Sequence, residues 1–139
     1  MGLEVEDRTG RIIGAAIEVH RALGPGFLER VYEHALRVEL SRRGIPFVAQ
    51  LEVPVVYQGV EVGTHVLDLL VEDQVVVELK AVRRLEDIHF VIVRSYLKAV
   101  VRDTALLLNF AASTLEIKRV SARTGADACR LPGFLVSRV

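Results

Sequence analysis

The chain has 139 residues, of which 51% are hydrophobic and 26% charged. That is the size and composition of one globular domain able to bury its own core, not of a disordered chain. Its 18 basic and 18 acidic side chains cancel, which excludes coating of nucleic acid by bulk charge but leaves a nuclease open, because the carboxylates of a metal site offset basic residues elsewhere.

No apolar run approaches the roughly 18 residues needed to cross a bilayer, and the acidic stretch from Met1 to Arg11 does not read as a signal peptide. No membrane association is expected. Cys129 is the single cysteine, so no intrachain disulfide is possible, and a cytoplasmic location is expected.

In chain order, a first helix is predicted over 7–23, where Ile12, Ala16, Val19 and Leu23 recur at helical spacing. Gly24-Pro25-Gly26 breaks it. A second helix is predicted over about 28–43, with Leu28, Val31, Ala35 and Val38 on one stripe and Gly44 as its stop. Valine-rich runs then predict strands over 48–57, 60–71 and 75–81, with turns at Gly59 and at Glu72-Asp73-Gln74. Their short connections make an antiparallel meander. A third helix is predicted over 87–101, capped by Asp87, followed by strands over 104–110 and 115–120. The order α-α-β-β-β-α-β-β is that of a layered α/β domain. We assign residues 1–120 to a single domain and residues 121–139 to a C-terminal extension of unpredicted structure.

The run Val75-Val76-Val77-Glu78-Leu79-Lys80-Ala81 places two charges in a strand apolar enough to be buried on both faces. Glu78 and Lys80 are two apart and share a face. Taken alone, the run fits an edge strand with a salt-bridged polar face. The preceding strand carries one acid, Asp68, in apolar surroundings. With a three-residue turn, Val71 faces Val75 and Asp68 falls opposite Glu78. Two buried carboxylates so placed call for a shared proton or a cation, and hard oxygen ligands point to Mg²⁺ or Mn²⁺. Lys80 can orient a water or stabilise a developing charge. A two-residue turn would put the two acids on opposite faces.

Glu29 and Tyr32 share a face of the second helix. Glu29 also fits an acid placed favourably at a helix N-terminus, and Tyr32 fits a core residue. Arg94, Lys98 and Arg102 are spaced by four and form a basic stripe on the third helix, which with Arg83 and Arg84 suits phosphate contacts or an ordinary solvated face. His20, His34, His65 and His89 show no zinc-ligand spacing.

The segment Gly26-Phe27-Leu28-Glu29-Arg30-Val31-Tyr32 resembles the signature of the GxxExxY family, which is assigned to the PD-(D/E)XK nuclease superfamily. The resemblance runs from about Gly10 to Val120. It includes residues 12–20, Leu23-Gly24-Pro25-Gly26, Asp68-Leu69-Leu70-Val71, Val77-Glu78-Leu79-Lys80-Ala81 and Tyr96-Leu97-Lys98-Ala99. It implies a restriction-endonuclease-like core with a mixed central sheet of about five strands flanked by helices. It implies Asp68 and Glu78 as metal ligands, the Leu79 carbonyl as a further ligand, Lys80 as the catalytic lysine and Glu29 as an accessory acid. Val66 stands where the family often has an arginine, and Ile92 where it often has a glutamine.

The expectation is a metal-dependent phosphodiesterase acting on DNA or RNA, as a possible homodimer. The alternative is a nucleic-acid-binding or protein-binding module that no longer cuts. A purely structural domain with a buried salt bridge leaves Asp68 and Glu29 without a role. Fold alone does not choose among these.

Overall fold

The computed structural model describes residues 2–122. The helices are α1 (Gly2–Leu23), α2 (Glu29–Arg42) and α3 (Asp87–Val100), and the strands are β1 (Phe47–Tyr57), β2 (Val60–Val71), β3 (Val75–Lys80), β4 (Thr104–Asn109) and β5 (Glu116–Ser121). The five strands form one sheet in the order β1-β2-β3-β4-β5. β1, β2 and β3 are an antiparallel meander, β3 and β4 are parallel across the α3 crossover, and β5 returns antiparallel. This is the layered α/β architecture that the element order implied, with the mixed sheet of about five strands that the resemblance implied.

The sheet separates two cores. Ile12, Ala16 and Val19 of α1 and Tyr32, Leu36 and Leu40 of α2 pack with Leu69, Val71, Val75, Val77, Leu79, Leu106 and Leu108 on one face. Val93 and Leu97 of α3 pack with Leu67, Leu70, Val76, Ala105 and Leu107 on the other. β3 and β4 are buried from both sides, which is why they read as unbroken apolar runs.

Several boundaries differ from expectation. α1 begins at Gly2 rather than residue 7. On α2 the buried stripe is Tyr32, Leu36 and Leu40, whereas Leu28 and Val38 of the expected stripe are exposed. Both sets have helical spacing, and packing against Phe110 selects between them: the Tyr32 and Phe110 rings stack at 4.6 Å. The cap of α3 is Glu86, one residue before Asp87, in a capping box with His89. β5 continues to Ser121, and the rest of the expected extension, from residue 123 onward, lies outside the described residues.

Two glycines set the entry to α2. Gly24 has φ +71° and Gly26 φ +113°, a region L side chains avoid. The turn they make is held by Tyr32, whose hydroxyl donates to the Gly24 carbonyl at 2.6 Å and accepts from the Phe27 N–H at 3.1 Å. Tyr32 is fully buried, so its place in the signature has a structural cause.

The β2–β3 turn fixes the register. Glu72 (φ +53°) and Asp73 (φ +58°) both adopt the left-handed conformation, which costs about 1–2 kcal/mol per non-glycine residue. External contacts hold them there. Arg11 of α1 donates to both Glu72 carboxylate oxygens at 2.8 and 3.0 Å. Arg102 donates to the Asp73 carbonyl at 2.7 Å and to its carboxylate at 3.0 Å.

Tyr32→Phe removes the hydroxyl that joins the Gly24 carbonyl to the Phe27 N–H. The unfolding free energy in urea should fall by about 0.5–1.5 kcal/mol with an unchanged denaturant slope. A loss within error of zero would show that the Gly24–Gly26 turn holds without Tyr32.

Candidate active site

Residue pairing between β2 and β3 is Val71 with Val75, Leu70 with Val76 and Leu69 with Val77, and it ends there. The three-residue turn is therefore as expected, but Asp68 is not a ladder partner of Glu78. The cause is a break in the alternation of β2. Leu69 and Val71 belong to the α1/α2 core, yet Leu67 and Leu70, three apart, both belong to the α3 core. β1 does the same: Phe47 and Ala49 pack on the α1/α2 side, and Leu51 and Val53 on the α3 side. Ala49 pairs with Leu69 and Leu51 with Leu67, so the switch falls at Gln50 and Asp68. Gln50 has φ +52°, the backbone rotation that turns the hairpin over.

Past this point β2 leaves β3, and the Leu79 N–H loses a main-chain acceptor. Asp68 supplies one: its carboxylate accepts the Leu79 N–H at 2.9 Å. The side chain bridges the gap where the two strands part. Leu79 itself is fully buried on the α1/α2 side, which sets Glu78 and Lys80 on the α3 side of β3.

Glu78 is 5% exposed. Its Oε1 is buried and has no hydrogen-bond partner among the described residues, and its Oε2 lies 3.9 Å from Lys80 Nζ. Burial, reinforced by the Asp68 charge, pushes the Glu78 carboxyl up to about 8. Burial also raises Asp68, to about 6, with the Leu79 N–H opposing and the charges of Glu33 and Glu29 adding to the rise. Two carboxyls that both resist ionisation, beside one distant ammonium, are short of positive charge.

Glu29 is the first residue of α2 and is exposed. Its charge is felt by both Asp68 and Glu78. It also occupies a favourable helix terminus. Among the described residues, no three His, Cys, Asp or Glu side chains are gathered closely enough to hold a metal ion by themselves.

That arrangement discriminates among metals. Zn²⁺ and Ca²⁺ take three or more protein ligands in most sites. Mg²⁺ typically takes one or two carboxylates and completes its shell with waters and substrate phosphates. Asp68 and Glu78, with an orphaned buried carboxylate oxygen, fit that donor set.

The structure separates the expected basic stripe. α3 ends at Val100, Val101 takes φ +58°, and Arg102 is bound to Asp73. A left-handed residue reorients the chain, so the four-residue spacing no longer holds Arg102 on the helix face. Arg94 and Lys98 remain one turn apart on α3. Lys98 is exposed, and the Nε of Arg94 is buried without a partner among the described residues.

Four residues join the site that sequence reasoning did not single out for it. Glu33 is 7% exposed, receives the Gln50 amide on both oxygens at 2.9 Å, and pairs with Arg37. Gln50 is thereby held in its left-handed conformation beside Asp68. Asn109 is fully buried, next to Lys80 in the parallel ladder. It accepts the Val82 N–H at 3.0 Å and donates to the Val82 carbonyl at 2.9 Å, which fixes the chain just after Lys80. Tyr96 of α3 has its phenol pKa raised by burial and then by the charges of Glu78 and Asp68. A polar residue ending the run Ala105-Leu106-Leu107-Leu108 was a visible signal for Asn109. The others carried none, since their roles depend on contacts between distant segments.

A family model for the PD-(D/E)XK nuclease superfamily matches residues 6–120. No curated protein and no solved structure gives a significant match. No helix among the described residues is long and apolar enough to cross a membrane.

The raised carboxyls predict a pH dependence of stability. Their ordinary values are 3.8 for Asp68 and 4.5 for Glu78, against about 6 and about 8 in the fold. Between these limits the folded protein binds more protons than the unfolded chain, so stability falls as pH rises from about 4 to about 8 and levels above that. With chelator present, urea unfolding at pH 5 to 8 should show this decline, and Glu78→Gln should flatten its upper part. An equal slope in the variant would place the destabilising ionisation elsewhere.

Proposed function

The chain belongs to the PD-(D/E)XK nuclease superfamily, and from that premise we propose that it is a metal-dependent phosphodiesterase acting on nucleic acid. Asp68 and Glu78 are the carboxylate ligands of Mg²⁺ or Mn²⁺, the Leu79 carbonyl is a further oxygen ligand, and Lys80 is the catalytic lysine. The observation that carries this reading is the buried Glu78 carboxyl with one oxygen left unpartnered among the described residues, together with the half-buried Asp68 on the adjoining strand. The Gly26–Tyr32 signature supports the GxxExxY family within the superfamily. The small surface of the chain supports a homodimer, and its lone cysteine a cytoplasmic location.

When bound, the divalent ion supplies neutralisation of phosphate charge and an acidified water. The chain's own residues do the rest. The Asp68 carboxylate, anchored on the Leu79 N–H, is held in one orientation rather than free to rotate. Lys80 brings an ammonium beside Glu78, where it orients the attacking water and stabilises the charge that develops on the phosphoryl oxygens. Asn109 holds the main chain after Lys80, so the lysine projects from a rigid strand end. Glu29 adds negative potential that favours cation uptake.

Ile92, on α3, stands where the family often has a glutamine that positions substrate or the lysine. It favours the second reading, a nucleic-acid-binding module that retains the cation site without turnover.

The two readings separate in one set of experiments. Labelled DNA and RNA, single-stranded and duplex, are incubated with the protein in Mg²⁺, Mn²⁺ or chelator. Asp68→Asn is the informative substitution, because its amide oxygen still accepts the Leu79 N–H, whereas Asp68→Ala would also orphan a buried donor. Under the nuclease reading, Asp68→Asn, Glu78→Gln and Lys80→Ala each lower cleavage by about a hundredfold or more. Mg²⁺ also raises the melting temperature of the parent but not of Asp68→Asn. Metal stabilisation without cleavage of any substrate would establish the binding module, and a parent indifferent to metal would overturn both.

A further inference from the structure

Beyond the switch at Gln50 and Asp68, β1 and β2 continue as an arm whose inner side packs on α3 through Leu51, Val53 and Leu67. Between the end of this arm and α3 lies a groove of about 610 Å³, walled by residues 54–57 and His65 on one side and by Ser95, Lys98 and Ala99 on the other. We propose that this groove binds a single strand of nucleic acid and leads it toward the carboxylates. The inference rests on the nucleic-acid reading of the neighbouring site and adds the substrate class.

Four observations carry it. First, the volume lies within the about 300–1,000 Å³ of pockets that take a drug-sized molecule, which suits an unstacked base with its sugar and not a duplex. Second, Tyr57 stands 65% exposed on the wall, an aromatic face open to stacking, and base stacking on such rings is tolerant of sequence. Third, the lining contains one cation, Lys98, and no acid, the charge that a phosphodiester requires, and single-strand grooves combine such charge with aromatic stacking. Fourth, the groove and the carboxylate site share a wall. The His65 ring meets the Tyr96 ring edge-on at 4.7 Å and its Nε2 lies 3.2 Å from Ser95 Oγ. The Tyr96 phenol in turn senses Glu78 and Asp68. His65 thus lines the groove and packs on Tyr96 of the helix that covers the Glu78 side of β3.

Tyr57 and Lys98 are exposed, so their replacement leaves the fold intact, which thermal unfolding checks. The test is fluorescence anisotropy of the full chain with a labelled oligothymidylate of about 12 nucleotides, within the site sizes of such grooves, and with a duplex of the same length, both in chelator. The single strand should bind more tightly than the duplex. Tyr57→Ala should weaken single-strand binding about tenfold, Tyr57→Phe should retain it, and Lys98→Ala should weaken it and lower its salt dependence. Equal binding by parent and Tyr57→Ala, or preference for the duplex, overturns the proposal. So does an absence of oligonucleotide binding, and if the same variants then abolish a concentration-dependent dimer, the groove is a contact between copies. Tyr57-dependent binding without metal-dependent cleavage supports the groove and overturns the nuclease reading. Cleavage whose KM and strand preference ignore Tyr57→Ala and Lys98→Ala overturns the groove alone.

Discussion

A backbone N–H inside a buried strand must find an acceptor, and the Leu79 N–H finds one in the Asp68 carboxylate at 2.9 Å. This contact allows the sheet to open. Without it, β2 and β3 would either stay zipped, closing the cleft, or part and leave a buried donor unpaired at a cost of about 1–3 kcal/mol. With it, the strands diverge after Leu69 and Val77, the β1–β2 arm swings onto α3, and the ends of β3 and β4 are left facing a cleft. The acid that holds the seam is the one proposed above as a cation ligand, so the same side chain would serve both fold and site.

The electrostatics of the cleft follow from that opening. The charges of Glu33 and Glu29 act on Asp68, those of Asp68 and Glu29 act on Glu78, and Lys80 approaches Glu78 only to 3.9 Å. Glu33 is balanced by Gln50 and Arg37. Asp68 and Glu78 are not, and they remain protonated well above the usual carboxylate range. A proton neutralises them in the absence of a ligand, and a divalent cation does so when bound, releasing those protons. Two carboxyls so placed are a weak structural element, and a simple structural salt bridge explains them poorly.

The basic residues divide between two tasks. Arg11 and Arg102 close on the left-handed turn at Glu72 and Asp73, which keeps the β2–β3 register and so the relative placement of Asp68 and Glu78. Arg94 and Lys98 are left for other work, Lys98 beside the groove at the arm. A neutral chain thus spends part of its positive charge on holding the hairpin register.

The sequence by itself determined the elements, their order and the identity of the charged strand, because these depend on local periodicity and punctuation: valine runs, glycine breaks and a lone Glu-x-Lys in an apolar strand. It left the hairpin turn at two or three residues, and the structure decided for three, with Val71 paired to Val75. The tertiary structure alone decided which of two apolar stripes α2 buries, where the ladder ends, and that Arg102 leaves the helix face. It alone brought Glu33, Gln50, Asn109 and Tyr96 to the cleft. The physical reason is common to all of these. A reversal of strand faces at Gln50 needs one residue with positive φ, which no residue type announces when it is not glycine, and its stabilising partner, Glu33, lies on a different helix. Contacts between segments far apart in the chain leave no periodic trace along it, and the geometry of this site is made of such contacts.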